Sequence, residues 1–144
     1  MTAKLSDGMR NHMLETGSVK GAFATLVMRI YSGTEPVSAN DAITGTLLVT
    51  LTGPSAAALA FDAAVGGALP KASSQVWSGV AVAGGTATHF RLTDTADTGN
   101  ASTTAKRIQG KCGTSTSELN MTSTSIASGA TQTVDAGNIT MPAA

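Results

Sequence analysis

Few residues in this chain have the types and spacing that chemistry demands, and each candidate lacks a necessary atom. Ala105–Cys112, AKRIQGKC, carries the Gly-Lys pair of a phosphate-binding loop at Gly110–Lys111. Such a loop needs an opening glycine, so that backbone amides can cradle phosphate, and a Ser or Thr to hold magnesium. Ala105 and Cys112 stand in those places, so the stretch reads as an exposed basic loop. Gly113–Ser117, GTSTS, begins like a nucleophile elbow, but Ser117 replaces the closing glycine and no strand-to-helix turn surrounds it. Asp94–Asn100, DTADTGN, offers oxygen ligands for calcium without the alternating acids or the distal bidentate glutamate of a calcium loop, and reads as an ordinary turn. His12 and His89 have no cysteine or second histidine at ligand spacing. The residues therefore predict no catalytic, metal-binding or cofactor-binding set, and no enzyme.

The rest of the composition narrows the partners. The 144 residues suit one domain with a single core, and 42% are hydrophobic, yet only 3% are aromatic and much of the apolar count is alanine. Charged residues make up 12%, about half the usual share, so Thr, Ser, Gly and Asn must cover the surface. A formal net charge of zero argues against partners found by bulk electrostatics, such as nucleic acid or an anionic membrane. Lys106, Arg107 and Lys111 form the one basic cluster, with almost no aromatic residue nearby to stack bases. The cluster reads as a solvated loop, or as a set of partners for carboxylates on another protein. Cys112 is the sole cysteine, which excludes an intrachain disulfide. The N-terminal stretch shows no secretory signal, and no apolar run has membrane-spanning length. The sequons at Asn100, Asn120 and Asn138 are then accidents of a Thr/Ser-rich chain.

Two periodicities describe the elements that must position these residues. Near the start, Ser6 can cap a helix, Leu5, Met9 and Met13 recur on one face, and Gly17 offers a left-handed stop, which predicts one short helix over roughly residues 6–16. From Ala24 onward the period is that of strands. Leu26, Met28 and Ile30 share one face and Val27, Arg29 and Tyr31 the other; Leu47, Val49 and Leu51 are expected inward, with Thr46 and Thr50 outward. Phe90 and Leu92 fall together, opposite His89 and Arg91. The tail, up to Pro142, continues the pattern with a bend expected at Ala136–Gly137. Turn signals such as TGPS, VGGALP and TADTGN separate the runs, and the whole predicts an all-β, antiparallel β-sandwich or barrel. An N-terminal helical segment or arm over 1–22 would precede a β-sandwich domain over 23–144.

Ile30–Gly45, IYSGTEPVSANDAITG, interrupts two well-patterned strands. Pro36 prevents a central strand, and Ser38 to Asp41 has the spacing of a capping box that would start one helical turn. Long ordered loops in small domains usually carry function, so Glu35, Pro36, Val37, Ser38, Asn40 and Asp41 are the candidate interface residues, with Met9 and Met13 on the helix beside them. On this reading, replacing Glu35–Asp41 by a Gly/Ser segment leaves the fold intact and weakens attachment to a partner.

Arg29–Leu48 followed by Phe90–Pro142 resembles a family of small structural proteins of tailed phages and prophages. The likeness lies in a strand ending Tyr-Ser-Gly, an Ala/Asp-rich loop, a Thr-Gly-Thr-Leu-Leu strand start and a Gly-Thr-Ser hairpin, with Ala56–Ser74 matching least. Members resemble head decoration or cementing proteins, small and often jelly-roll-like β-sandwiches bound as oligomers outside the capsid. The resemblance implies a virion protein made in the host cytoplasm and placed on the capsid exterior. Its partners would be the major capsid protein and its own copies, as homodimer or homotrimer, with no nucleic acid and no membrane. The rival reading is a tail-fibre or adhesin-type module gripping a host surface ligand, for which Tyr31 and Trp77 would be the aromatic platforms.

Overall fold

A computed structural model describes residues 3–134 and 137–140. Its strands in chain order are β1 (Lys4–Leu5), β2 (Leu26–Tyr31), β3 (Leu47–Leu51), β4 (Ala68–Pro70), β5 (Trp77–Val80), β6 (Gly85–Thr86), β7 (His89–Asp94), β8 (Ile108–Gly113), β9 (Leu119–Asn120), β10 (Ser125–Ile126), β11 (Thr131–Val134) and β12 (Asn138–Thr140). The fold is all-β, with one short helical segment near the start. The expected bend at Ala136–Gly137 includes Ala136, which lies outside the described residues, as do Met141 and Pro142.

The main sheet runs β1-β8-β7-β2-β3, every neighbour antiparallel, with β9 added in parallel to β8. Alternation sorts its side chains as the sequence predicts for β2 and β7: Leu26, Met28 and Ile30 lie beside Phe90 and Leu92 on the inner face. Ile108 and Cys112 of β8 and Val49 and Leu51 of β3 complete that face. Gly110 sits opposite Phe90 because a Cβ there would come within 2.8 Å of the phenyl ring. The phenyl group thus lies across β8, and only glycine leaves room for it.

β3 departs from its expected alternation. The register shifts between Ile30 and Tyr31, which pair with Val49 and Leu47, so Leu48 is the extra residue of a bulge. Leu48 and Val49 are consequently both fully buried, while Leu47, expected inward, is half-buried on the outer face.

Beyond β3 the sheet curls over the inner face. Thr52 and Ser78 exchange both backbone bonds, and the Val82 amide donates to Leu48 O at 2.8 Å, which lays β5 antiparallel along β3. β11 then pairs with the far side of β5, in register from Thr131–Val80 to Val134–Trp77. Trp77 and Ala81 point inward, and Phe61 meets Trp77 edge-to-face with ring centroids 5.6 Å apart. The β4–β12 and β6–β10 ribbons close the remaining sides. A void of about 40 Å³ remains between the layers, lined by Met28, Phe61, Trp77 and Phe90, with room for little more than water.

The N-terminal segment belongs to this core. Ser6 caps α1 (Asp7–Asn11) by accepting from the Met9 amide at 3.1 Å, and a wider π-type turn, His12–Thr16, continues it. Gly17 ends the segment in extended backbone, φ 178°, not in the expected left-handed conformation. Ser6 Oγ also donates to Ala105 O, and β1 pairs with β8, so the start of the segment is tied to the sheet.

Candidate functional site

The interrupting loop forms a strap across the outer face of the main sheet. On that face Lys4, Gln109, Arg91 and Arg29 stand in one cross-strand row, with His89, Tyr31 and Thr93 in the neighbouring rows. A polar sheet face of this kind is ordinarily solvated. Here His89, Arg91 and Gln109 are fully buried, and Thr93 and Arg107 nearly so.

The strap supplies the acceptors that these donors need. Glu35 Oε1 lies 3.0 Å from Lys4 Nζ and accepts from Gln109 Nε2 at 3.2 Å. Gln109 Nε2 also donates to Pro36 O at 2.8 Å, and Arg91 Nη2 to Asp41 O at 3.1 Å. Arg91 Nε donates in turn to Gln109 Oε1 at 3.2 Å. Arg107 Nη1 reaches Ala39 O at 3.2 Å, while its Nε and Nη2 grip the Asp97 carboxylate at 2.7 and 2.6 Å. Asn40 finishes the clasp, accepting from the Asp7 amide at 2.8 Å through Oδ1 and from the Ser102 amide at 2.8 Å through its backbone.

Burial opposes ionisation of Asp97, but hydrogen bonds from Arg107, Thr93 and the Gly99 amide outweigh it and bring its pKa down to about 2. Burial, with Arg107 nearby, pushes the Arg91 guanidinium down to about 10, so Arg91 stays charged at neutral pH. Thr88 Oγ1 lies 2.7 Å from Gly33 O, which can only accept, so the hydroxyl proton goes there and His89 Nδ1–H donates to Thr88 at 2.9 Å. His89 Nε2 is left buried without a partner.

The predicted interface residues divide accordingly. Pro36 is buried and Glu35 is turned into the clasp, so both serve the chain's own sheet. Ser38 and Asp41 form only half of the capping pair: the Ser38 amide donates to Asp41 Oδ2 at 2.9 Å, but Ser38 Oγ accepts from the Asn40 amide and the Asp41 amide donates to Ser38 O, so the result is a turn without a helix. The Ile43 amide, drawn to Gly99 O at 2.9 Å, leads the chain away before a second turn can close. Val37, 88% exposed, and Asp41 remain outward; Ser38 and Asn40 are half-buried. Met9 has no exposed surface and Met13 packs against the core, so Met9 is a core residue and presents nothing to a partner.

The basic loop expected at Ala105–Cys112 is also corrected: Gly110, Lys111 and Cys112 lie in β8, and Arg107 is paired within the chain. Burial, then the Glu118 and Glu35 carboxylates, pushes the Cys112 thiol up to about 12. The Gly-Thr-Ser hairpin is instead a loop that returns Leu119–Asn120 parallel to β8. Asp94–Asn100 does turn, with the Asp97 amide donating to Asp94 O at 3.0 Å, and no group of metal-binding side chains exists among the described residues.

A second part of the outer face is bare. The pairings of β3, β5 and β11 extend the row from Arg29 through Thr50 and Val80 to Thr131. Val76, Val80 and Val82 are 51%, 60% and 69% exposed, and Ser78, Thr131 and Thr133 stand among them without a charge. An open groove of about 430 Å³, lined by Arg29, Tyr31, Leu47 and Asp97 among others, separates this surface from the strap. Arg29 is already committed there, donating to Asp97 O at 2.5 Å and Thr95 O at 2.8 Å.

Comparison with models of protein families, with curated proteins and with solved structures found no match. The sequence reasoning missed the Arg91–Gln109 and Arg107–Asp97 contacts. Their signal was the run of His89, Arg91 and Thr93 on alternate positions beside Arg107 and Gln109, a polar face that a long ordered loop can cover.

Proposed function

We propose that the chain is a structural virion protein that binds the outer surface of a phage capsid and cements the head lattice. The bare, uncharged face of β3, β5 and β11 carries this reading. Exposed valines at alternate positions on a rigid sheet, ringed by Thr and Ser, suit contact with another protein surface and require no charge complement. Many weak contacts of this kind add up over a symmetric shell. The buried polar groups support the same reading, because Arg91, Arg107, Asp97 and Glu35 are spent on holding the strap. In this proposal the curled sheet is a jelly-roll variant. Its partners are the major capsid protein and further copies of the chain, as homodimer or homotrimer, on the capsid exterior after synthesis in the host cytoplasm.

The rival, a tail-fibre or adhesin module, draws less support. Tyr31 and Trp77, its aromatic platforms, are 6% and 3% exposed, and Tyr31 is stacked on His89.

The test is Val80→Asp, alone and with Val82→Asp, in co-sedimentation with particles that lack the protein. Desolvating an unpaired carboxylate at a contact opposes binding strongly, so occupancy should fall about tenfold or more while the melting temperature holds. Unchanged occupancy at unchanged stability would remove this face from the interface.

A further inference from the structure

We propose that the Ser32–Gly45 strap is an acid-sensitive latch: protonation of His89, sealed beneath it with no acceptor for a second N–H, favours lifting of the strap from the sheet. The His89 ring is fully buried, stacked on Tyr31 at 5.3 Å and 16°. The strap closes over its edge at Gly45, where even an added Cβ would lie 3.5 Å from the imidazole Cε1. Nδ1 is used by Thr88, and Nε2 faces no polar partner. A neutral ring tolerates that arrangement, whereas an imidazolium needs two acceptors.

The charges around the ring sharpen the conflict. Lys4 approaches from β1, Arg91 from β7 and Glu35 from the strap; β8 contributes Lys111, the strand partner of His89, and β2 the Tyr31 phenol. Glu35, the one carboxylate among them, is already shared between Lys4 and Gln109. Arg91 Nη1 is a further buried donor without an acceptor. A proton on His89 therefore adds a cation and an orphan donor to a face that already has too few acceptors.

The linkage has a definite sign. Burial, only partly offset by Glu35, lowers the folded His89 pKa below its ordinary value of about 6.5. Once the strap lifts, water reaches the ring and the ordinary value returns. Below about pH 6.5 the open state holds a proton that the closed state does not, so opening becomes up to about tenfold more favourable per pH unit until the folded pKa is reached. Lifting is local because polar contacts hold the strap, while the apolar core lies on the other face of the sheet. Asp97, already at about 2, keeps Arg107 neutralised throughout this window.

Hydrogen exchange of the Ser32 and Ile43 amides, which bond to Thr46 O and Gly99 O, reads the latch directly. Between about pH 7.5 and about pH 5, protection corrected for intrinsic exchange should fall by about fivefold to tenfold per unit below the His value. Trp77 emission, which reports the inner layer, should not change. In His89→Phe, which keeps the stacking but cannot titrate, strap protection should be flat with pH, and His12→Gln should behave as wild type. If His89→Phe fails to fold, His89→Gln takes its place. The imidazole carbon shifts of the wild type serve as a check that needs no variant. Protection that is flat in the wild type, or that falls equally in the His89 variants, overturns the latch. So does a His89 imidazole that takes up its proton while the strap amides stay protected.

Discussion

Arg107 and Asp97 show how far one ion pair can organise a surface. Both are nearly devoid of exposure, and the guanidinium holds the carboxylate with two parallel bonds while its third nitrogen anchors the strap at Ala39 O. Removing one partner leaves the other charge buried and unpaired. Asp97→Ala should therefore cost about 3–5 kcal/mol in urea unfolding, whereas a paired apolar replacement of both residues should come closer to neutral. Because the folded Asp97 pKa lies below its ordinary value, its contribution is complete above about pH 4 and is lost as the pH falls toward about 2. An acid titration of wild type beside Asp97→Asn checks this, since the variant should lack that phase. Cys112 is governed by burial in the same way. With its thiol near 12 and its side chain in the core, it should resist alkylation in the folded protein at neutral pH and react fully in denaturant. Cys112→Ser should still fold, at a cost of about 1–3 kcal/mol for a hydroxyl placed in the core.

The strap and the β3–β5 junction are the elements whose behaviour separates a packed structure from a passive connection. A passive loop between β2 and β3 would be insensitive to sequence, since doubling its length costs only about 0.6 kcal/mol. Glu35, Pro36 O and Asn40 instead satisfy buried or half-buried donors on the sheet and on α1. Replacing Glu35–Asp41 by Gly/Ser should lower the unfolding free energy by about 2 kcal/mol or more, a loss visible in the denaturation midpoint before any partner is added. That outcome differs from the stable fold expected when the loop is read from sequence as an outward contact. At the junction, Gly79 passes so close to β3 that a Cβ would stand 2.1 Å from Thr50 O. Gly79→Ala must push the strands apart and should cost about 1–3 kcal/mol, with faster exchange at the Thr52 and Ser78 amides as the local signature.

Taken whole, the molecule is a main sheet, antiparallel but for β9, that continues through β5 and β11 over a core with few aromatic residues and is closed by two short ribbons, with its polar outer face half strapped and half bare. Trp77, Phe61 and Phe90 supply the bulk that fills the centre, while Leu, Ile, Val and Met on alternating positions supply most of the rest. Among the described residues, helix is confined to the turns between Asp7 and Thr16 and a single short turn at Pro54–Ala56. The far-ultraviolet circular dichroism spectrum should therefore be dominated by β structure, and a helix-dominated spectrum would contradict the fold. The strap and the N-terminal segment pack on the same sheet, so they should melt with it near neutral pH. Strap opening separates from that transition only on acidification.

Local pattern alone was enough to reveal the all-β class, the faces of β2 and β7, the Ser6 cap and the ordered nature of Ser32–Gly45, because each rests on contacts between residues close in sequence or on strict alternation. The bulge at Leu48 was not legible, since its cause is the register between two strands and not the composition of either. Nor was the burial of Arg91, Gln109 and Arg107. Alternation says that such residues leave the apolar core, but whether they then meet water or a strap depends on a segment more than 50 residues away, such as Pro36 O above Gln109. The roles of Glu35 and Met9 were decided the same way. A carboxylate on a turn and a methionine on a short helix look available in sequence, and only the folded chain shows that its own sheet has already taken both.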